Sequence, residues 1–424
     1  MSENQNNSSS FPRRAFFGSA AAFQIIRPEL VRGFAPAKLR AGLIGAGGRG
    51  RQAVQDLLTG DENVELAAVA DAFEDQLERN LAWLREDPKN AAIRSRVNVK
   101  PELRFTGFEA YKKLIASDVD IVMLATPPGW RPIHFEAAVE ATKHIFCEKP
   151  FGTDPVGVQR FMRAAKKSED LKLTVVSGAQ RRFSREYQET VKKIKDGVIG
   201  DVLAAYAYWA GTPVIQQPNG RKPNWGDAEW QHRNWYSNVW LCGDQAVEQH
   251  LHNIDVICWA MGAHPISVTG YGGISWRPQN EITGNIYDHL AADFVFANGV
   301  RLSSYCRQYP RGLYRNIGES VIGTKGRSNC HDLGAKGEVG DYVAEHIALV
   351  RSIRGDGPYI NHAMPVAEST MACIMAREAA YSGQEITWDM AMNSKLDLSP
   401  QGAVSYNSKM EQAPFPKPGT YKFI

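Results

Sequence analysis

The chain has 424 residues, 43% of them hydrophobic and 22% charged, with a formal net charge of +3. That length allows two separate cores, and the small charge imbalance excludes a surface built for nucleic acid or an anionic membrane. No apolar run approaches a membrane span, and six cysteines without a C-x-x-C pair supply neither a zinc site nor a disulfide framework, so no metal is expected.

Residues 1–37 stand apart from the rest. An Asn/Ser stretch leads into Pro12-Arg13-Arg14-Ala15-Phe16-Phe17, an apolar run to Ile26, and Ala35-Pro36-Ala37. The segment resembles a twin-arginine export signal ending in an A-x-A cleavage site, which implies a periplasmic location; the alternative is a basic arm on a cytoplasmic protein. Its four arginines against two glutamates carry most of the net charge.

From residue 38 apolar strands alternate with helices. Arg40 to Ile44 is a short strand, Gln52 to Leu58 is helical, and between them Gly45, Gly47 and Gly50 fit G-x-G-x-x-G. The first glycine permits a tight turn, the second lets backbone N–H groups approach a pyrophosphate, and the third lets the helix pack closely. Gly48 and Arg49 lie in the same loop. The next strand, Val64 to Asp71, ends in a carboxylate at the spacing the fingerprint requires. Asp71 can accept hydrogen bonds from both ribose hydroxyls and would repel a ribose phosphate, so NAD is expected over NADP. Arg49 and Arg51 are the groups that could meet a phosphate instead.

Glu74 to Glu86 reads as a helix, Pro88 to Arg104 as a crossover loop, and Phe108 to Ile115 as a helix. A buried strand, Val119 to Thr126, runs into Pro127-Pro128-Gly129 at the cofactor edge, so Thr126 and Pro127 are assigned to the cofactor. Helix Ile133 to Ala141, strand His144 to Cys147, helix Pro155 to Lys167 and strand Lys172 to Ser177 continue a parallel, doubly wound sheet over residues 38–180. Glu148-Lys149-Pro150 follows the strand at 144–147. It puts a partly desolvated amine beside the expected nicotinamide site, where Lys149 becomes a proton carrier and Glu148 a cofactor neighbour.

Beyond Gly178 the strands run consecutively: Val202 to Tyr208, Ile266 to Tyr271, His289 to Phe296, Val300 to Tyr309 and Ser320 to Gly323, with Asn298-Gly299 as a hairpin signal. A mainly antiparallel sheet, hence an α+β second domain, is expected over residues 181–395. The Trp-rich stretch Gly211 to Leu241, Trp235 included, is a ligand loop or a packed lid. Tyr287 and His289, like Arg307 and Gln308, lie at strand edges where they could contact hydroxyls. Helices Val343 to Arg354 and Ala367 to Tyr381 are expected to pack back on the first domain, ahead of an extended tail, residues 396–424.

The run from Gly243 to Gly262, read as one helix, puts Glu248, His252 and Asp255 on a shared face, the carboxylate one turn from the imidazole and orienting it. His250 points elsewhere on that wheel. Asp255 reads as a cap or an ion-pair partner.

The glycine loop, Asp71, Thr126-Pro-Pro, Glu148-Lys149-Pro150, Gly178-Ala-Gln180-Arg-Arg182, His252-x-x-Asp255 and Gly323-Thr-Lys-Gly326 together resemble the Gfo/Idh/MocA family of sugar and polyol oxidoreductases. The likeness covers nearly all of residues 38–395. It implies a Rossmann domain plus a C-terminal sheet domain through which chains form homo-oligomers. It also implies that Lys149 and His252 flank a substrate hydroxyl; His250, Gln180, Arg182, Trp235, Tyr287 and His289 are the expected substrate contacts, with packing the other role open to the two at strand edges. The family usually shows D-x-G-x-H on that helix. Here Glu248 takes the aspartate's place, His250 the glycine's and His252 the histidine's, a pattern that looks like an exported subgroup. The expected activity is an NAD-dependent dehydrogenase of a sugar, polyol or glycoside, with tight NAD retention. The alternative is a redox-neutral glycoside hydrolase or lyase working through a transient keto-sugar, and a non-enzymatic sugar sensor is disfavoured by the lysine and histidine.

Overall fold

The computed structural model describes residues 38–214 and 220–424; residues 1–37, expected to be an export signal, lie outside the described residues. β1 (Leu39–Ile44), α1 (Gly48–Gly60), β2 (Val64–Asp71) and α2 (Glu74–Glu86) open the chain. There follow β3 (Arg104–Thr106), α3 (Ala110–Ile115), β4 (Ile121–Leu124), α4 (Arg131–Glu140), β5 (His144–Cys147), α5 (Pro155–Asp170) and β6 (Val175–Ser177). These strands form a parallel sheet in the order β3-β2-β1-β4-β5-β6. Its strands are apolar on both faces because helices cover both sides. The order reverses between β1 and β4, and there the carboxyl ends of the strands open a crevice.

α6 (Arg185–Lys195) leads to β7 (Val202–Gly211), α7 (Asp227–Arg233), α8 (Val239–Cys242), α9 (Gln245–Glu248) and α10 (Leu251–Met261). Then come β8 (Ser267–Gly273), β9 (His289–Val295), β10 (Arg301–Gln308), β11 (Asn316–Gly323) and β12 (Arg327–Ser328). α11 (Asp341–Arg354), α12 (Ala363–Ser382), β13 (Ile386–Thr387) and α13 (Trp388–Asn393) complete the elements. The second sheet has the order β12-β11-β7-β10-β9-β8-β13 and is antiparallel apart from the pair β7 and β10. That pair is parallel because the long helical excursion after β7, followed by β8 and β9, returns the chain beside it in the same direction. The Asn298-Gly299 hairpin forms as expected, with Gly299 at φ +82.

The C-terminal helices do return to the first sheet. Leu349 and Val350 of α11 share a core with Leu57 and Leu58 of α1. α12, buried nearly all round, lies in the other core together with Phe161 of α5.

Three expectations change. The segment 88–104 ends in the edge strand β3, too short to show a period. α6, amphipathic around Thr190, Val191 and Ile194, was not anticipated. The run 243–262 is two helices broken at Gln249 and His250, so Glu248 and His252 do not sit one turn apart on one helix. The tail carries no helix or strand, as expected, but it is fastened: Tyr287 donates from its hydroxyl to the Pro416 carbonyl at 3.0 Å, and the Tyr421 hydroxyl donates to Glu378 at 2.7 Å.

Candidate active site

A groove of about 760 Å3 lies at the reversal point of the first sheet, walled on its far side by residues of the second. The glycine loop forms its floor. Gly45 sits at φ +95, and a Cβ on Gly50 would lie 2.0 Å from the Gly45 carbonyl oxygen, so the first and third glycines are demanded by the turn and by helix packing. A Cβ on Gly47 or Gly48 would meet nothing within 4 Å, which leaves open space at the start of α1. α1 begins without a side-chain cap. Its first N–H groups and its dipole are therefore available to an anion such as a pyrophosphate. Gly50 itself supports the loop from behind rather than lining the groove.

Asp71 lies at the groove edge, where its carboxylate accepts from the backbone N–H of Ala46 at 2.7 Å and of Phe73 at 2.8 Å. Burial pushes its pKa up to about 6, against the pull of those two N–H donors. Thr126, Pro127 and Trp130 form the facing wall. His134, kept neutral by burial and by the nearby Arg131 charge, with its pKa down at about 3, bonds Thr126 Oγ1 at 3.2 Å. An open phosphate cradle, a free helix N-terminus and a ribose-side carboxylate fit a dinucleotide.

Successive residues in extended chain point to opposite sides, and the pair after β5 uses this. Glu148 turns toward the glycine loop and accepts from Arg49 Nε at 2.5 Å. Burial opposes its ionisation, but Arg49, Arg131 and Lys149 together hold its carboxyl below the usual range. A Cβ on Gly178 would lie 2.5 Å from Glu148 Oε2, so the glycine makes room for that carboxylate. Arg49 also reaches Asp56 at 3.3 Å and Glu345 at 3.1 Å. Arg49 is thus held by three carboxylates while it lines the groove. Lys149 turns the other way, and its Nζ donates to the Glu248 carbonyl at 2.7 Å and to Glu248 Oε1 at 2.9 Å.

Glu248 therefore pairs with Lys149 and not with His252. The imidazole instead stacks on Trp209, ring centres 5.9 Å apart. Burial, then the charges of Lys149, Arg181 and Arg49, drives its pKa well below the ordinary histidine value. The expected carboxylate support for its basicity is absent; the ring is neutral because it is enclosed among cations.

The structure brings Gln180, Trp235, Glu248 and His252 to the groove together with the cofactor residues. Four expected substrate contacts lie elsewhere. Arg182 makes a bidentate pair with Asp255, both bonds 2.8 Å, and Ser369 donates to the same carboxylate at 2.8 Å. Removing either charge would strand the other in the interior, a loss of about 3–5 kcal/mol. His250 precedes α10 and is buried, its Nε2 held by Ser304 Oγ of β10 at 2.7 Å. Tyr287 is buried against Tyr381 and Phe415, where it anchors the tail. His289 stands on β9 beside Asp288 at 2.8 Å. Arg181, Trp209, Gln249 and Tyr342 line the groove and were missed. The Gly178 to Arg182 motif pointed at Arg181, but neighbours in a 3-10 turn project in different directions, and only the fold shows which one faces inward.

Fold and groove together define a protein built around a Rossmann-type dinucleotide site. The profile described as "Oxidoreductase family, NAD-binding Rossmann fold" matches residues 39–176 and that of the "GFO/IDH/MocA C-terminal domain" matches residues 187–328; the chain belongs to the Gfo/Idh/MocA family. It is 26% identical over 289 residues to inositol 2-dehydrogenase of Rhizobium meliloti, covering 68% of this chain and 74% of the relative. It is 27% identical over 191 residues to 2,7-anhydro-N-acetylneuraminate hydratase of Escherichia coli, covering 44% of each. The chain spans about half the length of several curated relatives it matches. Scyllo-inositol dehydrogenase of Lactobacillus casei, solved with NAD(H) and scyllo-inositol, has the same fold, with a TM-score of 0.63 at 19% identity over 82% of this chain and 99% of that one.

The raised pKa of Asp71 has a signed consequence. Its ionisation costs folded-state stability as pH rises from the ordinary carboxylate range through about 6. Nucleotide binding, which uses the ionised carboxylate as acceptor, strengthens over the same interval. NAD affinity, followed by tryptophan fluorescence, should weaken as pH falls below about 6, by up to roughly tenfold per pH unit. Asp71→Asn should bind NAD more weakly at neutral pH, discriminate less against NADP and lose this pH dependence. An unchanged titration in that variant would remove Asp71 from the cofactor site.

Proposed function

We propose that the protein oxidises a carbinol carbon of a polyol, sugar or glycoside, with Lys149 and His252 as the acid-base pair. The observation that carries this reading is that both side chains reach one groove, Lys149 from the segment after β5 and His252 from α10, at the place where the first sheet offers a dinucleotide cradle. When bound, NAD supplies the hydride acceptor. The neutral imidazole of His252 is able to take the hydroxyl proton, and the Lys149 ammonium stabilises the negative charge that builds on the oxygen. Glu248 acts through Lys149: two acceptor oxygens fix the amine's position, so Glu248 positions and does not itself exchange protons. Gln180, Arg181 and Trp235 offer donors and an apolar plate to a polyhydroxylated ligand.

The names of relatives support a cyclitol or sugar as substrate. The hydratase among them keeps the redox-neutral reading in view, and product masses separate the two: oxidation removes two hydrogens, elimination leaves the hydrogen count of the parts unchanged. We further propose that residues 1–37 direct export by the twin-arginine route, and that copies associate through the outer face of the second sheet, where Tyr206, Tyr208 and Tyr305 stack in a row. Cell fractionation and sedimentation of the processed protein check both; a cytoplasmic monomer would contradict them.

Lys149→Ala and His252→Ala should each lower kcat by at least ~10², the usual loss when acid-base help is removed, with NAD affinity nearly unchanged. Glu248→Gln should cost less and be seen in kcat more than in KM. Near-normal turnover in either alanine variant would exclude that residue from the chemistry.

A further inference from the structure

Asp71 marks the adenosine end of the groove, and the chain just after it is gripped from the C-terminal half of the molecule. Arg233, the last residue of α7, makes a bidentate pair with Asp75 in the first turn of α2, at 3.0 and 3.1 Å. Its guanidinium lies 4.0 Å over the ring of Phe73. Tyr406 of the tail donates from its hydroxyl to the Ala72 carbonyl, and its ring lies 5.3 Å from Phe108 and 5.9 Å from Phe73. His232 of α7 closes on Phe108 from the other side, ring centres 4.6 Å apart.

The tail is laced to α7. The Ala228 and Glu229 N–H groups donate to the carbonyls of Ser408 at 3.2 Å and Tyr406 at 3.4 Å, and Gln231 donates to Met410 at 3.0 Å. Gly226 permits this passage, since a Cβ there would lie 2.3 Å from the Tyr406 carbonyl oxygen. α7 and the tail therefore form one unit, seated on the two residues that follow the ribose carboxylate.

We propose that α7 and residues 405–410 are a clasp over the adenosine end of the groove, with Tyr406 and Arg233 as nucleotide-retaining residues, so that NAD stays bound through many turnovers. The proposal rests on the NAD reading of the groove. Release of the nucleotide requires the Arg233 pair with Asp75 and the Tyr406 contact with Ala72 to part, and those contacts slow dissociation without touching the reacting carbon.

The test uses the full chain, purified without added NAD and desalted. Bound nucleotide is counted by mass spectrometry after denaturation, and its release is timed by chase with isotopically labelled NAD. The expected result is close to one retained NAD per chain. Tyr406→Ala, at a side chain 37% exposed, and Gly226→Ala, whose methyl displaces the tail, should each speed release about tenfold or more. Unchanged melting of the nucleotide-free variants shows that the fold is intact. NAD that binds but exchanges within seconds, equally fast in wild type and variants, overturns the clasp alone. A chain that binds no NAD in an equilibrium titration overturns the nucleotide reading and the clasp with it.

Discussion

The ion pair between Lys149 and Glu248 is the constraint on which the site depends. A buried ammonium is costly unless paired and hydrogen-bonded. Here one residue of α9 supplies both a carboxylate and a backbone carbonyl to it, at 2.9 and 2.7 Å. Lys149 follows the end of β5 in the first sheet's half, whereas Glu248 belongs to the helical excursion of the second. Satisfying the lysine therefore draws the second half of the chain onto the crevice of the first. The neighbouring Glu148 does the same on the other side, binding Arg49 of the glycine loop, which in turn reaches Glu345 of α11. Two adjacent residues tie cofactor loop, reaction centre and C-terminal helices into one electrostatic unit.

That unit also sets the state of the histidine. His252 is enclosed, stacked on Trp209, and faces the positive charges of Lys149, Arg181 and Arg49. Burial and those charges oppose protonation, so the imidazole is neutral at neutral pH. A carboxylate beside it would have favoured the opposite state. Pairing Glu248 with the lysine fixes the amine in place and leaves no carboxylate on the histidine.

Much of the cofactor side was legible because its signals are local. The glycine spacing, the strand ending at Asp71 and the turn at Thr126-Pro127 each depend on a few consecutive residues, and the fold places all three at the same groove. The substrate side depends on long-range packing. Arg182 and His250 are polar residues in a motif and beside a helix, and the same composition serves an interior ion pair with Asp255 or a buried hydrogen bond to Ser304. The break at Gln249 and His250 was hidden because the residues around it are good helix formers. Arg233 and Tyr406 carried no motif, and the contacts that seat them beside Asp71, to Asp75, Phe73 and Ala72, span more than a hundred residues of sequence.

The most direct test of this account follows the hydrogen itself. Cyclitols and aldoses deuterated at every carbinol carbon would be mixed singly with NAD-loaded protein, quenched within one turnover, and the nucleotide examined by mass spectrometry. The account predicts that a substrate of the protein leaves one deuterium on the nicotinamide, and that Lys149→Ala and His252→Ala slow its arrival. Product formation with no deuterium ever found in the nucleotide would contradict it, because the groove would then serve a reaction other than hydride transfer.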